Sequence, residues 1–386
     1  MKNILIISYS RLDRDPRIQR QIKTFNNTFN IETIGLSPAN DLIKNFLPKK
    51  GHVSDRKYTL QNAFILIKMI LGYFGEINYH RIIKPFFEYD IKTPDMIIAN
   101  DWLGLLVACE LKKYKDWNSK IYFDSHEYFP EYRNSLKWKI LLRPRITYVL
   151  KKYRDSFDVM STVCPSLARR YERYYHFKPD TVRVVTNAPD YEPELRPQDV
   201  GGKIRIIHHG LASPLRKIEK MIDIMAYLPE DKYELYFMLM KSDKAYYDEM
   251  VRYASRYSNI HFLEPVPFTE IPSFTNQFDI GLLLPNNDNV SYKYSLPNKF
   301  FEFVQARLAI AIGDSYEMKQ YVERYDLGVV ARENSPEAMA AVIEKMSRED
   351  IMMYKQNAHK YARELSAETN MKILMEIAEE LLGKAF

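Results

Sequence analysis

The chain has 386 residues, of which 46% are hydrophobic and 27% are charged, and its net charge is +6. This length excludes a single small module, and the composition is that of a soluble globular protein with two large domains. The positive excess suits a phosphate-bearing ligand or an anionic membrane surface, but it is too small to indicate nucleic-acid binding. Two cysteines allow neither a disulfide framework nor a cluster of metal-binding thiols, which favours a reducing cytoplasm.

The first residues, MKNILIISYS, contain too short an apolar run for a signal peptide and lack a small-residue cleavage site. We interpret them as a first buried strand and expect no export. The most apolar long segment, residues 62–77, is interrupted by Lys68 and Glu76. It falls short of the ~18 uninterrupted apolar residues of a membrane span, so we expect no transmembrane helix.

Short β-branched segments alternate along the chain with longer segments of helical period, a pattern typical of βαβ units on parallel sheets. The predicted strands are residues 3–8, 31–36, 96–100, 120–124, 159–163, 182–186, 203–208, 233–240, 260–263, 279–284, 308–312 and 328–330. The predicted fold class is therefore α/β, with two doubly wound, Rossmann-like domains.

A segment rich in proline, glycine and acidic residues, 187–202, separates the two series of strands. We place the linker at 189–202, between domains of residues 1–188 and 203–365. The carboxyl ends of the strands in both domains would then face a common cleft, where open α/β sheets bind their ligands. Residues 366–386 are expected to form a C-terminal helix that packs back toward the first domain.

Three predicted helices begin with a cation in their first turn, directly after a strand. The three starts are Asp15-Pro16-Arg17, Ser213-Pro214 followed by Arg216 and Lys217, and Pro297 followed by Lys299. Such cations oppose the helix dipole by ~0.3 to 1 kcal/mol, so together they indicate a bound anion such as a diphosphate. Neither GxGxxG nor GxxxxGK occurs, so these cations would replace a glycine-rich phosphate loop. The alternative is that each cation extends into solvent or pairs with a neighbour such as Asp13, Glu219 or Glu302.

Glu302 lies among aromatic residues in KFFEFVQARLAIAIG, just before a strongly apolar strand. A carboxylate in such surroundings requires a partner. One interpretation is that it accepts hydrogen bonds from the hydroxyls of a ribose, as acidic residues do in dinucleotide sites. The other is an i,i+3 salt bridge with Lys299.

A second polar cluster follows the strand at 120–124, in KIYFDSHEYFPE. Asp124, His126 and Glu127 would supply hydrogen-bond acceptors and a proton carrier at the carboxyl end of that strand. Asn100 and Asp101, after the preceding strand, would face the same cleft. The alternative is a histidine with a purely structural role.

No metal site is predicted. Asp13 and Asp15 have DxD spacing, but Arg14 and Arg17 create a positive local field that disfavours a divalent cation. The chain has no HExxH motif, and the adjacent pair His208-His209 ends a strand with its side chains on opposite faces.

Six segments, taken in order, resemble glycosyltransferases of the GT-B fold. They are SYSRLDRDPRIQRQ, FDSHEYFPE, VVTNAPD, HHGLASPLRKIEKMIDIM, EPVPFTEIPSFTNQFDIGLLLP and LPNKFFEFVQARLAIAIGD. The closest group is the retaining, nucleotide-sugar-dependent glycosyltransferase family four and its bacterial surface-polysaccharide relatives. The resemblance covers nearly the whole chain, and LPNKFFEFVQARLAIAIG is its most specific piece.

The resemblance implies that the first domain binds the acceptor and the second binds the nucleotide sugar. Arg216 and Lys299 would hold the donor diphosphate, and Glu302 would bind the ribose. The backbone near Val266 would contact the base, and His126 would lie beside the transferred sugar. Further donor-side cations are Arg17 and Lys217, the acceptor-side candidates are Asp101, Asp124, Glu127 and Asn187, and the catalytic candidates are His126, Arg216 and Lys299.

Three positions depart from the family pattern. The first glutamate of the E-x7-E motif is replaced by Tyr294, and an arginine that often follows the glycine of the second domain's first loop is replaced by Leu211. The glycine-rich loop of the first domain is replaced by the segment that contains Arg17. These changes concern the contacts to the donor sugar and its diphosphate.

The expected reaction is metal-independent transfer of a sugar, with retention, from a nucleotide-diphosphate sugar to a glycan or polyprenyl-linked acceptor, without a cofactor. Basic and aromatic residues at 133–154 and 168–178 would hold this cytoplasmic enzyme on the inner face of the plasma membrane, or would form an ordinary solvated helix face.

The alternative functions are a sugar-nucleotide epimerase or hydrolase, and a non-catalytic nucleotide-sugar-binding scaffold subunit. Nucleic-acid binding would require a steep salt dependence, and no nucleic-acid partner is expected.

Overall fold

A computed structural model describes residues 1–47, 80–132, 134–136, 138–178, 181–286 and 293–383. The apolar segment 62–77, considered above as a membrane candidate, lies outside these described residues. The chain divides into two compact units, one of residues 1–186 with 371–386 and one of residues 187–370. In the described part of the chain, no helix has both the length and the hydropathy that a bilayer span requires.

The first unit is a parallel sheet with helices between its strands. In chain order its elements are β1 (Asn3–Ile7), α1 (Pro16–Phe25), β2 (Asn30–Ile34), β3 (Lys44–Phe46), α2 (His80–Phe87), β4 (Met96–Asn100), α3 (Asp101–Tyr114), β5 (Lys120–Ser125), α4 (Arg143–Lys152), β6 (Val159–Thr162), α5 (Pro165–Tyr175) and β7 (Val182–Val184). The strand order is β3-β2-β1-β4-β5-β6-β7, and every pairing is parallel.

The second unit repeats this plan, with six strands in its described part. Its elements are β8 (Ile204–Leu211), α6 (Ile218–Asp223), β9 (Tyr233–Met240), α7 (Lys244–Ala254), β10 (Ile260–Leu263), α8 (Ile271–Thr275), β11 (Ile280–Leu283), α9 (Asn298–Gln305), β12 (Ala309–Ile312), α10 (Tyr316–Tyr325), β13 (Gly328–Val330), α11 (Pro336–Glu344) and α12 (Arg348–Tyr361). The strand order is β10-β9-β8-β11-β12-β13, again all parallel.

The last helix, α13 (Ala367–Leu382), returns to the first unit. Its side chains Leu374, Ile377 and Ala378 are buried in the same cluster as Ile4 of β1 and Tyr122 of β5. The first unit is therefore built from two separate stretches of the sequence.

The central strands of both sheets are buried on both faces, which explains why β1, β4, β11 and β12 are almost entirely apolar rather than alternating. Ile4 to Ile7 in β1 and Ile310 to Ile312 in β12 are almost completely inaccessible to solvent. Each strand predicted from the sequence is present. The additional strand β3 was not predicted, because three residues with the sequence KNF carry no strand-like pattern.

Close packing of α9 on the second sheet depends on a glycine, Gly281, which has no side chain. A Cβ atom at Gly281 of β11 would lie 2.4 Å from the ring of Phe303. The ring therefore lies directly on the backbone of β11, and Phe300, Phe301 and Phe303 are all fully buried. This contact fixes α9 beside the carboxyl edge of the second sheet.

Candidate active site

A buried ion pair occupies the carboxyl edge of the first sheet. Asp15 caps α1 by accepting a hydrogen bond from the backbone N–H of Arg17 at 3.1 Å, and Pro16 occupies the first helical position. The guanidinium of Arg17 binds both carboxylate oxygens of Asp124 at the end of β5, with Nε 2.6 Å from Oδ2. It also donates to the carbonyl of Val185 at 3.0 Å. Burial alone would raise the pKa of Asp124, but Arg17 and His126 lower it well below its usual range.

Arg17 is therefore placed where the sequence predicted it, in the first turn of α1, but its charge is balanced inside the protein. The balancing anion is the carboxylate of Asp124 rather than a bound diphosphate. Only 5% of Arg17 is exposed. Sequence spacing did not show this partner, since the two residues are 107 positions apart.

Two amide side chains complete this network. Gln21, one turn after Arg17, donates from Nε2 to Asp124 Oδ2 at 2.8 Å and to Asn100 Oδ1 at 2.9 Å. Asn100 returns a hydrogen bond from Nδ2 to Gln21 Oε1 at 3.1 Å. Ser161 of β6 also donates to Asp124. Asp124 is completely buried and fully engaged, so it can act on a ligand only through its neighbours.

His126 lies between two carboxylates just beyond β5. Its Nε2 is 3.5 Å from Asp124 Oδ2, and its backbone N–H donates to Asp101 Oδ1 at 3.2 Å. Burial alone would lower the pKa of His126, but Asp101 and Asp124 raise it above its usual value. The side chain is 17% exposed. The imidazole can therefore carry a proton near neutral pH and present it at this edge of the sheet.

Asp101 and Glu127 are two acidic residues near this histidine, and different interactions hold them in place. Asp101, the first residue of α3, has a φ of 59°, and burial raises the pKa of its carboxyl group. Glu127 is held through its carbonyl, which accepts hydrogen bonds from Ser125 Oγ at 3.1 Å and from Tyr171 OH at 3.0 Å. The first unit thus gathers Arg17, Asp101, Asp124 and His126 at one edge.

In the second unit, Lys299 lies across the end of β8. A Cβ atom at Gly210 would be 2.3 Å from Lys299 Nζ, and Gly210 has a φ of +137°, which favours glycine. The side chain of Lys299, in the first turn of α9, therefore occupies the space that any other residue at 210 would fill. Among the described residues, its ammonium has no hydrogen-bond or ion-pair acceptor.

The charge on Lys299 is correspondingly unfavourable. Burial and the nearby Arg216 lower the pKa of Lys299 to about 7, against the opposing effect of Glu302. A bound anion would raise the pKa of Lys299 again, because it supplies a charge partner for the ammonium.

Arg216 and Lys217 are arranged differently from the sequence prediction. Pro214–Arg216 forms a single 3-10 turn rather than the start of an α-helix, and Ser213 makes no side-chain cap. Lys217 has left-handed backbone geometry, with a φ of 52°, and precedes α6. The prediction of both cations in a first α-helical turn is wrong, because this left-handed residue separates the turn from the helix. Arg216 is half-buried, whereas Lys217 is exposed.

Glu302 is buried beside a histidine. Its Oε2 lies 3.3 Å from His209 Nε2, and Glu302 is 9% exposed. Burial and Lys299 lower the pKa of His209 to about 3, so the ring is neutral at pH 7. The sequence suggested a ribose or Lys299 as the partner of this carboxylate and did not identify His209. The signal was the HHG sequence at the end of β8, which places one histidine on each face of the strand.

A partly open pocket lies beside Lys299 and Arg216. It is lined by His208, Leu215, Arg216, Met221, Leu283, Leu284, Pro285, Asn286, Ser295, Pro297, Lys299 and Met318. Val266 is half-buried in the loop after β10, and Asn187 is the half-buried first residue of the second unit. Tyr294, at the position of the first motif glutamate, packs edge-on against Tyr316, with ring centroids 5.6 Å apart.

Metal ligands are not grouped in the described residues: no three of their histidine, cysteine, aspartate and glutamate side chains come together as a metal site would need. Both cysteines, Cys109 and Cys164, are free and buried.

No protein-family model matches the chain, and neither does any curated protein. Solved structures do match. Sucrose-phosphate synthase from Thermosynechococcus elongatus gives a TM-score of 0.72 at 12% identity, over 100% of both chains. HepE from Anabaena, solved in complex with UDP and glucose, gives 0.68 at 12% identity, over 98% of this chain and 100% of that one. WaaG, a glycosyltransferase involved in lipopolysaccharide biosynthesis, gives 0.60 at 13% identity, over 98% and 100%. The chain therefore has the fold of GT-B glycosyltransferases, and the predicted fold class is confirmed.

Proposed function

We propose that this protein is a glycosyltransferase that takes a sugar from a nucleotide-diphosphate sugar. The observation that carries the proposal is the ammonium of Lys299, which lies over Gly210 beside Arg216 at the carboxyl edge of a parallel sheet. Ligands of open α/β sheets bind at this edge. The shared fold with HepE, whose structure contains UDP and glucose, supports the same donor class.

The donor diphosphate is assigned to Lys299 and Arg216. A desolvated ammonium and a guanidinium form charge-assisted hydrogen bonds with phosphate oxygens, and these are stronger than neutral hydrogen bonds. The diphosphate also relieves the unfavourable burial of Lys299. Lys217, which is exposed, contributes to the field at longer range.

The remainder of the nucleotide is assigned to two neighbouring groups. Glu302 accepts hydrogen bonds from the ribose hydroxyls, and its Oε2 lies 3.3 Å from Nε2 of the neutral His209. The backbone of the loop that contains Val266 contacts the base.

The first unit is assigned to the acceptor. His126 and Asp101 lie at its carboxyl edge and remain partly accessible, whereas Asp124 is buried and orients His126. Glu127 and Asn187 are further acceptor-side candidates. Arg17 is assigned a positioning role through Asp124, because its guanidinium is already engaged.

In the proposed reaction, an acceptor hydroxyl attacks the anomeric carbon, and the nucleoside diphosphate leaves with the electrons of the broken C–O bond. The hydroxyl proton passes to the departing diphosphate. Negative charge increases on the diphosphate in the transition state. Lys299 and Arg216 stabilise that charge from fixed positions, which is the role that a divalent cation has in other transferases. We propose that the reaction proceeds with retention, as the sequence resemblance implies.

The acceptor is proposed to be a glycan or a polyprenyl-linked sugar of a surface polysaccharide, at the inner face of the plasma membrane. Support comes from the surface before α4, where a turn of π-helix, Trp138–Leu142, exposes Ile140 beside Lys139. Leu136 is 72% exposed, and Arg143 is also exposed. Apolar side chains flanked by cations favour an anionic bilayer surface. Co-sedimentation with phosphatidylglycerol vesicles tests this part, and binding that does not increase with anionic lipid would contradict it.

The test of the donor site is a thermal-shift panel without added metal, using UDP, GDP, UDP-glucose, UDP-galactose, UDP-N-acetylglucosamine and GDP-mannose. A ligand that binds the folded state raises the melting temperature by mass action. We expect one nucleotide family to stabilise the wild type and to lose its effect in Arg216→Ala and Glu302→Ala. Lys345→Ala, an exposed cation of the same unit outside the pocket, is the matched control.

The outcomes also separate the alternatives. A panel without any shift would contradict the donor site. Binding followed by steady breakdown or interconversion of the nucleotide sugar without an acceptor would indicate a hydrolase or epimerase. Binding without turnover in the presence of cell-derived acceptor lipids would indicate a scaffold subunit.

A further inference from the structure

The buried imidazole of His208 forms a hydrogen bond through only one of its two ring nitrogens among the described residues. Its Nδ1 lies 2.9 Å from the carbonyl oxygen of Leu282 in the neighbouring strand β11. A carbonyl can only accept, so Nδ1 carries the proton and Nε2 presents a lone pair. His208 is 4% exposed, and its Nε2 has no hydrogen-bond partner among the residues that the structure describes.

Buried polar atoms without partners are rare in folded proteins and mark places where a ligand or water completes the structure. His208 lines the pocket that also contains Lys299 and Arg216. Its ring packs edge-on against Phe237 at 6.2 Å, which holds it in this orientation. The pocket therefore contains an acceptor in a fixed position.

His208 Nε2 can accept a hydrogen bond, whereas the charged groups around it donate hydrogen bonds. Lys299 and Arg216 can only donate hydrogen bonds, which suits phosphate oxygens. A diphosphate is deprotonated at neutral pH and has no proton to offer Nε2. A part of the donor that replaces water at His208 Nε2 must therefore carry a hydroxyl or an N–H.

The position of the pocket indicates which part of the donor this is. Glu302 and His209, assigned above to the ribose, are not among the residues that line it, whereas Asn286 and Ser295 are. With the diphosphate at Lys299, the nucleoside extends toward Glu302 and the other substituent of the diphosphate enters the pocket. That substituent is the sugar.

We propose that His208 Nε2 accepts a hydrogen bond from a hydroxyl of the transferred sugar, and so selects donors that carry a free hydroxyl at that one position. This inference rests on the proposed function. It makes His208 a specificity-determining residue, since a donor that lacks the hydroxyl leaves a buried acceptor unpaired, which weakens binding about 10- to 100-fold.

The experiment compares two substitutions that separate the two ring nitrogens. In His208→Asn the amide nitrogen takes the place of Nδ1 and can still donate to Leu282, but nothing replaces Nε2. In His208→Gln the longer amide brings an acceptor close to the position of Nε2. His261→Asn, at another histidine of the same sheet that does not line the pocket, is the control. Affinities for UDP, GDP, UDP-glucose, UDP-galactose, UDP-N-acetylglucosamine and GDP-mannose are measured by calorimetry.

We expect His208→Asn to bind the nucleoside diphosphate as the wild type does and to bind the nucleotide sugar about 10- to 100-fold more weakly, with part of the loss recovered in His208→Gln. Monodeoxy analogues of the bound donor identify the hydroxyl, because one of them should lose affinity in the wild type and not in His208→Asn.

Three results would overturn the assignment. A folded His208→Asn protein that binds the nucleotide sugar as tightly as the wild type would show that His208 does not contact the sugar. Equal losses for the diphosphate and the sugar nucleotide would place His208 at the nucleotide instead. If the wild type binds none of these compounds, the proposed function itself fails, and the inference fails with it.

Discussion

Arg17 and Lys299 occupy equivalent positions at the start of a helix, but within the described part of the chain only Arg17 has a carboxylate partner. Each is a cation in the first turn of a helix that begins at or just after a proline and follows a parallel strand. Arg17 binds the buried carboxylate of Asp124 on β5, whereas Lys299 lies over a glycine with no acceptor among the described residues. The same sequence pattern thus produces a stabilising ion pair in one unit and an unsatisfied charge in the other. The difference lies in whether the sheet supplies a carboxylate within reach.

The largest effect is expected from removing Arg17. Arg17→Ala leaves the buried carboxylate of Asp124 without its cation, which should lower the free energy of unfolding of the first unit by about 3 to 5 kcal/mol. All three tryptophans, Trp102, Trp117 and Trp138, lie in this unit, so fluorescence during urea denaturation reports its unfolding.

Arg14→Ala is the control for Arg17→Ala, because the Arg14 side chain is 74% exposed. It should leave the midpoint unchanged. Equal midpoints for Arg17→Ala and the wild type would show that the ion pair adds nothing to the stability of the first unit.

The next effect is at Lys299. Lys299→Met removes a desolvated ammonium and keeps a side chain of similar length over Gly210. The affinity for the nucleoside diphosphate should fall by about 1.5 to 3 kcal/mol, the contribution of a hydrogen bond to a charged group. The melting temperature at pH 6 should not fall, because no partner of Lys299 is left unpaired. A large loss of stability would show instead that Lys299 is a structural residue like Arg17.

The third prediction concerns pH. Because the pKa of Lys299 is about 7 in the folded chain and near 10.5 when exposed, the Lys299 side chain loses its positive charge above pH 7 in the ligand-free protein. The affinity for the nucleoside diphosphate should therefore fall with increasing pH above 7, by at most about tenfold per unit, which is 1.4 kcal/mol. Calorimetry between pH 6.5 and 9 measures this slope.

Stability should change in the opposite direction over the same range. Between pH 7 and 10.5 the unfolded chain binds one more proton at Lys299 than the folded chain, so the contribution of this residue to the free energy of unfolding rises with pH. Both pH dependences should be absent in Lys299→Met, and their persistence there would assign them to other groups.

The smallest effect is expected at Gly210. Gly210→Ala places a methyl group where Lys299 Nζ now lies and strains a backbone with a φ of +137°. Moving the flexible ammonium aside should weaken diphosphate binding by about 1 kcal/mol. Gly201→Ala is the matched control, since a Cβ atom at Gly201 meets nothing within 4 Å. Equal diphosphate affinities for the two alanine variants would contradict the proposed position of Lys299.

Much of the fold could be predicted from the sequence because it depends on local patterns. Apolar β-branched segments define the strands, and Asp15-Pro16 defines the start of α1. The turn at Pro214 was predicted less well, since a cap and a proline suit a 3-10 turn as well as an α-helix. The site depended on longer-range contacts. Nothing near Arg17 in sequence points to Asp124, and the pairing of His209 with Glu302 requires knowledge of how α9 lies on the sheet.

The return of α13 to the first unit has a consequence for how the protein forms during synthesis. Residues 187–370 make up a continuous unit that can fold once they have left the ribosome. The N-terminal strands appear earlier, but the cluster that covers them includes Leu374, Ile377 and Ala378. The strands of the first unit are therefore translated before residues 374–378, which complete their core.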